Sequence, residues 1–346
     1  MSFRRLPSRD RGFVLVVVIG VIMAMTGLVL AFSRRARASV QVADSLCKSA
    51  QAACCARAGL GAAISILRST PAGQGQSAQD PACDGQWSLS LGDGVCQMDL
   101  ADEQGKINLN RLVDPQGHVD RARVDQFLRL IDLTNREGQG EPIGYGIVPA
   151  LMDWIDADDE RTCLDFIERQ NTGAESDYYQ GLARPYPCAN KPLASPEDLL
   201  WVKDVTAEAY RRLAPYVTVY GEGLINLNVA ARRVIESLSE QMDPALAQAI
   251  VERRQAKPFQ SLDELQQMPG MTDPVFQRIR QLATVQSAGE YYQLRSTGQV
   301  DRVRRTVSAI LRRNTADGTV DIVEYREDSR QESGVRIQKS ESRSQK

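Results

Sequence analysis

From Phe13 to Phe32 the chain carries no charge. At a rise of about 1.5 Å per residue a helix of that length spans roughly 30 Å, the thickness of a bilayer's hydrocarbon core. A basic leader with Arg4, Arg5, Arg9 and Arg11 precedes it. That places the leader in the cytoplasm and the C-terminal bulk on the far side of the membrane. Three readings fit the stretch. A cleaved secretory signal needs a short apolar core and a small-residue site; Ala36-Arg37-Ala38 offers one, but Arg34, Arg35 and Arg37 crowd it. A plain anchor is the second. The third takes the leader to end at Gly12, with Phe13 opening an apolar helix.

The 346 residues are enough for two compact units beyond an anchor, and a net charge of -2 gives no global basic field for nucleic acid. Of seven cysteines, Cys83, Cys96, Cys163 and Cys188 fall where disulfides persist, and Cys47, Cys54 and Cys55 lie on the continuation of the N-terminal helix. With one histidine, His118, and no Cys-x-x-Cys pair, an imidazole or thiolate zinc site is disfavoured, and His118 reads as a loop residue.

No proline interrupts Phe13 to Thr70, and Leu46, Ala50, Ala53, Leu60, Ile64 and Leu67 recur at helical spacing until Pro71, Gly73 and Gly75 end the pattern. Trp87–Leu91 and Val95–Leu100 alternate as a hairpin about Gly92-Asp93-Gly94, which a Cys83–Cys96 bridge would staple. Residues 108–285 are mostly helical. Residues 290–296, 304–311 and 319–325 again read as strands, with turns at Gly298 and Asn314–Gly318, and a Ser/Arg/Gln/Glu/Lys-rich tail occupies 327–346. A lone hairpin is too small a sheet to stand alone, so the expectation is one α+β domain with a helical insertion.

The helical block repeats itself. Lys106-Ile107-Asn108-Leu109-Asn110 returns as Leu224-Ile225-Asn226-Leu227-Asn228, and Ser195-Pro196-Glu197-Asp198 as Ser261-Leu262-Asp263-Glu264. Asn110, Asn228, Ser195 and Ser261 are placed as helix caps, with Asp198 and Glu264 as capping-box partners. The paired helices look like helix-hairpin-helix units. Phosphate binding by such a unit needs a Gly-rich turn; Met268-Pro269-Gly270-Met271 keeps one glycine and Val202-Lys203-Asp204-Val205 has none, so a packing module is favoured.

Leu151–Glu160 holds Asp153, Asp156, Asp158, Asp159 and Glu160, and Glu175 and Asp177 follow. A charge run is usually a solvated face. Acids this dense also repel one another unless neutralised, and a first acidic segment with a distal Glu175/Asp177 pair could surround a hard cation such as Ca²⁺, though not with EF-hand spacing. Cys163 and Cys188 bracket the second acidic segment, and a bridge there would restrain it.

The basic leader, Gly12 and Phe13 resemble the class III leader of type IV pilins and pseudopilins, whose prepilin peptidase cuts after the glycine and methylates the new amino terminus. Here that cut falls between Gly12 and Phe13. Pilin-like subunits usually carry Glu at the fifth mature position, which here is Val17. Its absence suits a tip subunit with no neighbour above to neutralise. With Gly105-Lys106-Ile107-Asn108-Leu109-Asn110, Asp153-Trp154-Ile155-Asp156-Ala157-Asp158, Gly173-Ala174-Glu175, Asp177-Tyr178-Tyr179 and Asn190-Lys191-Pro192-Leu193, the chain resembles the K family of type II secretion minor pseudopilins. The resemblance implies a long transmembrane helix (13–32, continuing over 33–70), a pilin-like helix-on-sheet domain (83–107 and 286–326) and an inserted all-α domain (108–285). It implies Ca²⁺ ligands drawn from Asp153, Asp156, Asp158, Glu175 and Asp177. Partners would be minor pseudopilins I and J, prepilin peptidase and the inner-membrane assembly platform, with no nucleic acid. The implied role is structural rather than enzymatic, at the pseudopilus tip, on an inner-membrane anchor with the bulk in the periplasm. The alternative is a membrane-anchored, competence-type DNA receptor.

Overall fold

The computed structural model describes residues 10–69, 84–114, 116–138, 140–166, 171–286, 289–314 and 316–328. Helix α1 (Asp10–Ser69) runs unbroken for 60 residues. Among the described residues it is the one helix long and apolar enough to cross a membrane, and none of them buries its apolar window. A hairpin follows, β1 (Asp84–Leu91) and β2 (Gly94–Asp102). The middle block then comprises β3 (Ile107–Asn108), α2 (Arg121–Glu137), α3 (Ile147–Ile155), α4 (Ser176–Gln180), α5 (Ala207–Leu213), β4 (Val217–Thr218), β5 (Ile225–Asn226), α6 (Arg232–Glu236), α7 (Pro244–Ala256), α8 (Asp273–Leu282) and β6 (Ala283–Thr284). The chain returns to strands β7 (Tyr291–Val300), β8 (Val303–Arg313) and β9 (Val320–Asp328).

β2 pairs with β7 across the whole middle block, so one antiparallel sheet ordered β1-β2-β7-β8-β9 forms from both ends of the insertion. The second half of α1 lies on it, burying Ser49, Ala52, Ala56, Leu60, Ala63 and Leu67. The expected stripe is therefore partly corrected. Leu60 and Leu67 face the sheet, but Leu46 and Ala50 are exposed and Ala53 and Ile64 only half-buried. The reason is close approach: the helix backbone sits so near the sheet that mostly small side chains fit between them.

The same proximity corrects the turn expected at Gly298. That glycine lies inside β7, where an added Cβ would come within 2.0 Å of the Ala52 carbonyl oxygen. Gly59 on α1 is equally constrained, 2.2 Å from Ser296 Oγ by the same measure. Gly298 therefore marks packing, and the β7–β8 turn comes later, where Asp301 takes a left-handed conformation. The tail boundary also moves. Glu327 and Asp328 belong to β9, paired with Val307 and Thr306, and Glu327 accepts from Arg57 Nη2 of α1 at 3.0 and 3.1 Å. The rest of the tail, like Pro71, Gly73 and Gly75, lies outside the described residues.

The insertion is mostly helical but not all-α, because two parallel strand pairs, β3–β4 and β5–β6, close its two repeats. In each copy an Ile-Asn strand pairs with the strand that follows the second helix. Asn108 and Asn226 cap the turn after their own strand by accepting from the backbone N–H groups of Asn110 and Asn228. Asn110 and Asn228, expected as caps, instead bridge. Asn110 accepts from Leu193 N and donates to the Leu193 and Val219 carbonyls; Asn228 accepts from Phe259 N and donates to the Phe259 and Val285 carbonyls. The short helices at 196–201 and 262–267 carry the expected capping boxes with Asp198 and Glu264. Each is followed by a left-handed turn residue, Asp204 (φ 64°) in the first copy and Gly270 (φ 87°) in the second. One apolar core runs through both copies, including Phe127, Leu130, Phe259 and Phe276.

Candidate metal centre

α3 is apolar except for Asp153 and entirely buried, so its C-terminal end lies inside the insertion. Asp153 in its last turn and Asp156 at its C-cap are carried in with it. The loop after them doubles back: Gly173 N donates to Thr162 O and Leu164 N to Asn171 O, both at 2.9 Å. That return delivers Glu175, which opens α4, to the same spot. A carboxylate oxygen from each of Asp153, Asp156 and Glu175 lies within 4.8 Å of the other two, and all three residues are buried.

Four of their oxygens are buried without a hydrogen-bond partner: Asp153 Oδ2, Asp156 Oδ1 and both carboxylate oxygens of Glu175. Asp153 Oδ1 is held by Thr162 N at 2.8 Å, which aims Oδ2 inward. Desolvation, reinforced by the neighbouring acids, raises Asp156 to about 7 and Glu175 to about 8, and desolvation also raises Asp153. Buried carboxylates without partners are costly, and protons or a cation relieve that cost. The donors are all oxygen, and the negative end of a helix dipole points at them. This set fits a hard cation of the Ca²⁺ type and not a thiolate or imidazole metal.

Of the five expected ligands the structure brings these three together. Asp158 is exposed, its Oδ1 accepting from Glu160 N at 2.8 Å, and Asp177 is exposed and paired with Arg161. Two features of the site were missed in the sequence. Gly173 forms its wall: an added Cβ would lie 2.0 Å from Asp153 Oδ2. Thr162 orients Asp153 through its backbone, which no side-chain pattern signals.

The cysteine expectations need correction. Cys163 and Cys188 are both free; the Cys163 thiol faces Asp165 Oδ1 and the buried Cys188 thiol faces the Asp153 carbonyl, each at 3.5 Å. Cys188 thus packs against the wall of the carboxylate cluster. Cys83 lies outside the described residues. Cys96 is a free thiol, buried beneath α1 with its sulfur 3.3 Å from Ser296 Oγ. In the first helical-hairpin turn the left-handed position is held by Asp204, where the second copy has Gly270.

Residues 105–222 and 225–286 match two family models, each described as type II secretion system protein K. The type II secretion system protein K of Pseudomonas aeruginosa is 33% identical over 172 residues, 49% of this chain and 48% of that protein. That of Klebsiella pneumoniae is 26% identical over 226 residues, 64% of this chain and 66% of the relative. The alignments thus span from about half to two thirds of these relatives. A crystal structure of the GspK-GspI-GspJ complex from enterotoxigenic Escherichia coli aligns with a TM-score of 0.61 at 22% identity, covering 86% of this chain and 100% of the other; it establishes likeness of fold.

Proposed function

The chain belongs to the type II secretion system protein K family, and on that premise we propose that it is a minor pseudopilin seated at the tip of a pseudopilus. It initiates assembly there with minor pseudopilins I and J and is structural, not catalytic. The first half of α1 anchors it in the inner membrane and the sheet and helical insertion stand in the periplasm. Prepilin peptidase cuts between Gly12 and Phe13, and the assembly platform receives the mature helix.

The observation that carries this reading is the free face of α1. Opposite the sheet-facing stripe, Ala43, Cys47, Ala50, Cys54, Ala58 and Gly61 are exposed at spacings of three and four residues. A stripe of small side chains lets a second helix approach closely. It lies on the same unbroken helix as the uncharged membrane segment, as lateral packing of neighbouring subunits requires. Val17, in place of an acid on that segment, suits a subunit with nothing above it, because no incoming ammonium needs neutralising.

Calcium belongs to the same reading. Asp153, Asp156 and Glu175 would hold it, and the ion would supply positive charge that ties the end of α3 to the 162–177 loop. Co-expression of the full chain with the I and J proteins of its own system, followed by affinity capture in detergent, tests the assembly. A stoichiometric complex is expected, weakened by Ala50→Leu with Gly61→Leu. Capture of the chain alone would contradict it.

A further inference from the structure

Between Phe13 and Ala43 the only charged side chains are Arg34, Arg35 and Arg37, and the nearest acid in sequence is Asp44. Asp44 is engaged by Lys48 at 2.6 Å. All three arginines are exposed on α1 and none meets a carboxylate among the described residues. They follow Phe32 by two to five residues, which along a helix is about 3–8 Å. The head-group layer on each side of a hydrocarbon core is roughly 5–8 Å deep. The arginines therefore stand at head-group depth, on the side of the membrane that holds the sheet and the insertion. Ser49, the first described residue of α1 that is buried, comes about 18 Å further along the helix than Arg37. Such a cluster runs against the usual bias of arginine toward the cytoplasmic side, and an anionic surface offsets that bias.

Their place around the helix decides what they meet. At 3.6 residues per turn, eighteen residues make about five turns. Arg34 and Arg37 thus share helical positions with Ala52 and Cys55, both buried against the sheet, and Arg35 with half-buried Ala53. Ala36 falls in line with Cys54, and Ala43 with Gly61, on the exposed stripe of small residues. The arginines therefore lie off the face offered to a neighbouring helix and on the face that turns toward the gap between sheet and bilayer. We infer that Arg34, Arg35 and Arg37 bind the phosphate groups of anionic phospholipids. The inference rests on the reading of residues 13–32 as a membrane span. Guanidinium groups are exposed there without acid partners, and their planar fork matches phosphate oxygens in pairs. The contact fixes the depth of α1 and its rotation about its own axis, and so leaves the small-residue stripe clear for a second helix. Once residues 1–12 are removed, these three are the cations that hold the chain at the membrane surface.

The test is native mass spectrometry of the detergent-solubilised full chain, titrated with phosphatidylglycerol or with phosphatidylcholine of the same acyl chains. The expected result is a preference for phosphatidylglycerol of roughly tenfold or more, since each arginine near an anionic surface is worth about a factor of five. Arg34→Gln, Arg35→Gln and Arg37→Gln together should abolish the preference; glutamine keeps the helix, so folding is not at stake. The triple lysine variant keeps the charge and should retain most of the preference. Equal affinity for the two lipids in the unmodified chain would overturn the assignment, and so would a preference that survives the glutamine variant. Equal loss in the lysine variant would also overturn it, because charge would then not be what is recognised. Displacement of phosphatidylglycerol by millimolar inorganic phosphate would reassign the site to free phosphate. A glutamine variant that keeps its lipid preference but no longer captures the I and J proteins would give the arginines to a protein neighbour. Release of the chain from membranes by alkaline carbonate would remove the span reading itself, whereas a retained chain without lipid preference sinks the head-group assignment alone.

Discussion

Asp156 and Glu175 keep their protons to about pH 7 and 8 in the folded chain, whereas unfolded carboxyl groups lose theirs near pH 4. Between those limits the native state binds more protons than the unfolded state. The contribution of these groups to metal-free stability is therefore greatest at low pH and is lost as pH rises from about 4 to about 8. A calcium ion held there would replace the protons, so its binding should release protons at pH 6.5 and almost none at pH 9, which calorimetry in buffers of different ionisation enthalpy reads directly. Calcium should raise the melting temperature much more at pH 8 than at pH 5. At the wall of the site, Gly173→Ala puts a methyl 2.0 Å from Asp153 Oδ2. It should abolish calcium-dependent stabilisation, checked by melting with and without chelator. Of this site the acids were legible, because charge density shows in a linear string. Which acids converge was not: Asp153 and Glu175 meet only after the loop at 162–173 turns back, and Asp177 is drawn away by Arg161.

At the scale of elements, helices and strands followed from local signals. The proline-free run to Thr70, the alternation in β1 and β2, and the capping boxes at Ser195 and Ser261 need only neighbours in sequence. The packing face of α1 did not follow, because both sides of its second half are built of small residues and the choice is made by β7 and β8. Gly298 misled for the same reason: a glycine between two strand-like runs signals a turn unless a helix presses on it. Gly298→Ala should destabilise the domain by about 2 kcal/mol or more through forced separation of α1 and β7, measured by thermal unfolding. Asn228 was misassigned as a cap because its partners, Phe259 and Val285, are 31 and 57 residues away. Asn228→Ala leaves these backbone groups buried and unpaired, and a loss of about 2–4 kcal/mol is expected in the same unfolding experiment.

For the whole molecule, the insertion lies within a sheet that α1 covers on one face, and α1 continues from that sheet through the apolar segment. The architecture was legible because strands that cannot form a stable hairpin alone must recruit the later ones. The neat division into a sheet domain and an all-α insertion was not, since β3–β4 and β5–β6 arise from pairs more than 50 residues apart. Cross-domain contacts also tie the two layers: Tyr220 donates to Glu324 at 3.2 Å and Arg326 to Glu197 at 3.1 Å. The central claim, that the chain is matured as a pseudopilin, is tested most directly by the N-terminal mass of the protein extracted from membranes of cells that carry its secretion system. The account predicts a chain beginning at N-methylated Phe13, lacking residues 1–12. A chain still beginning at Met1 would contradict it and leave α1 as an unprocessed anchor.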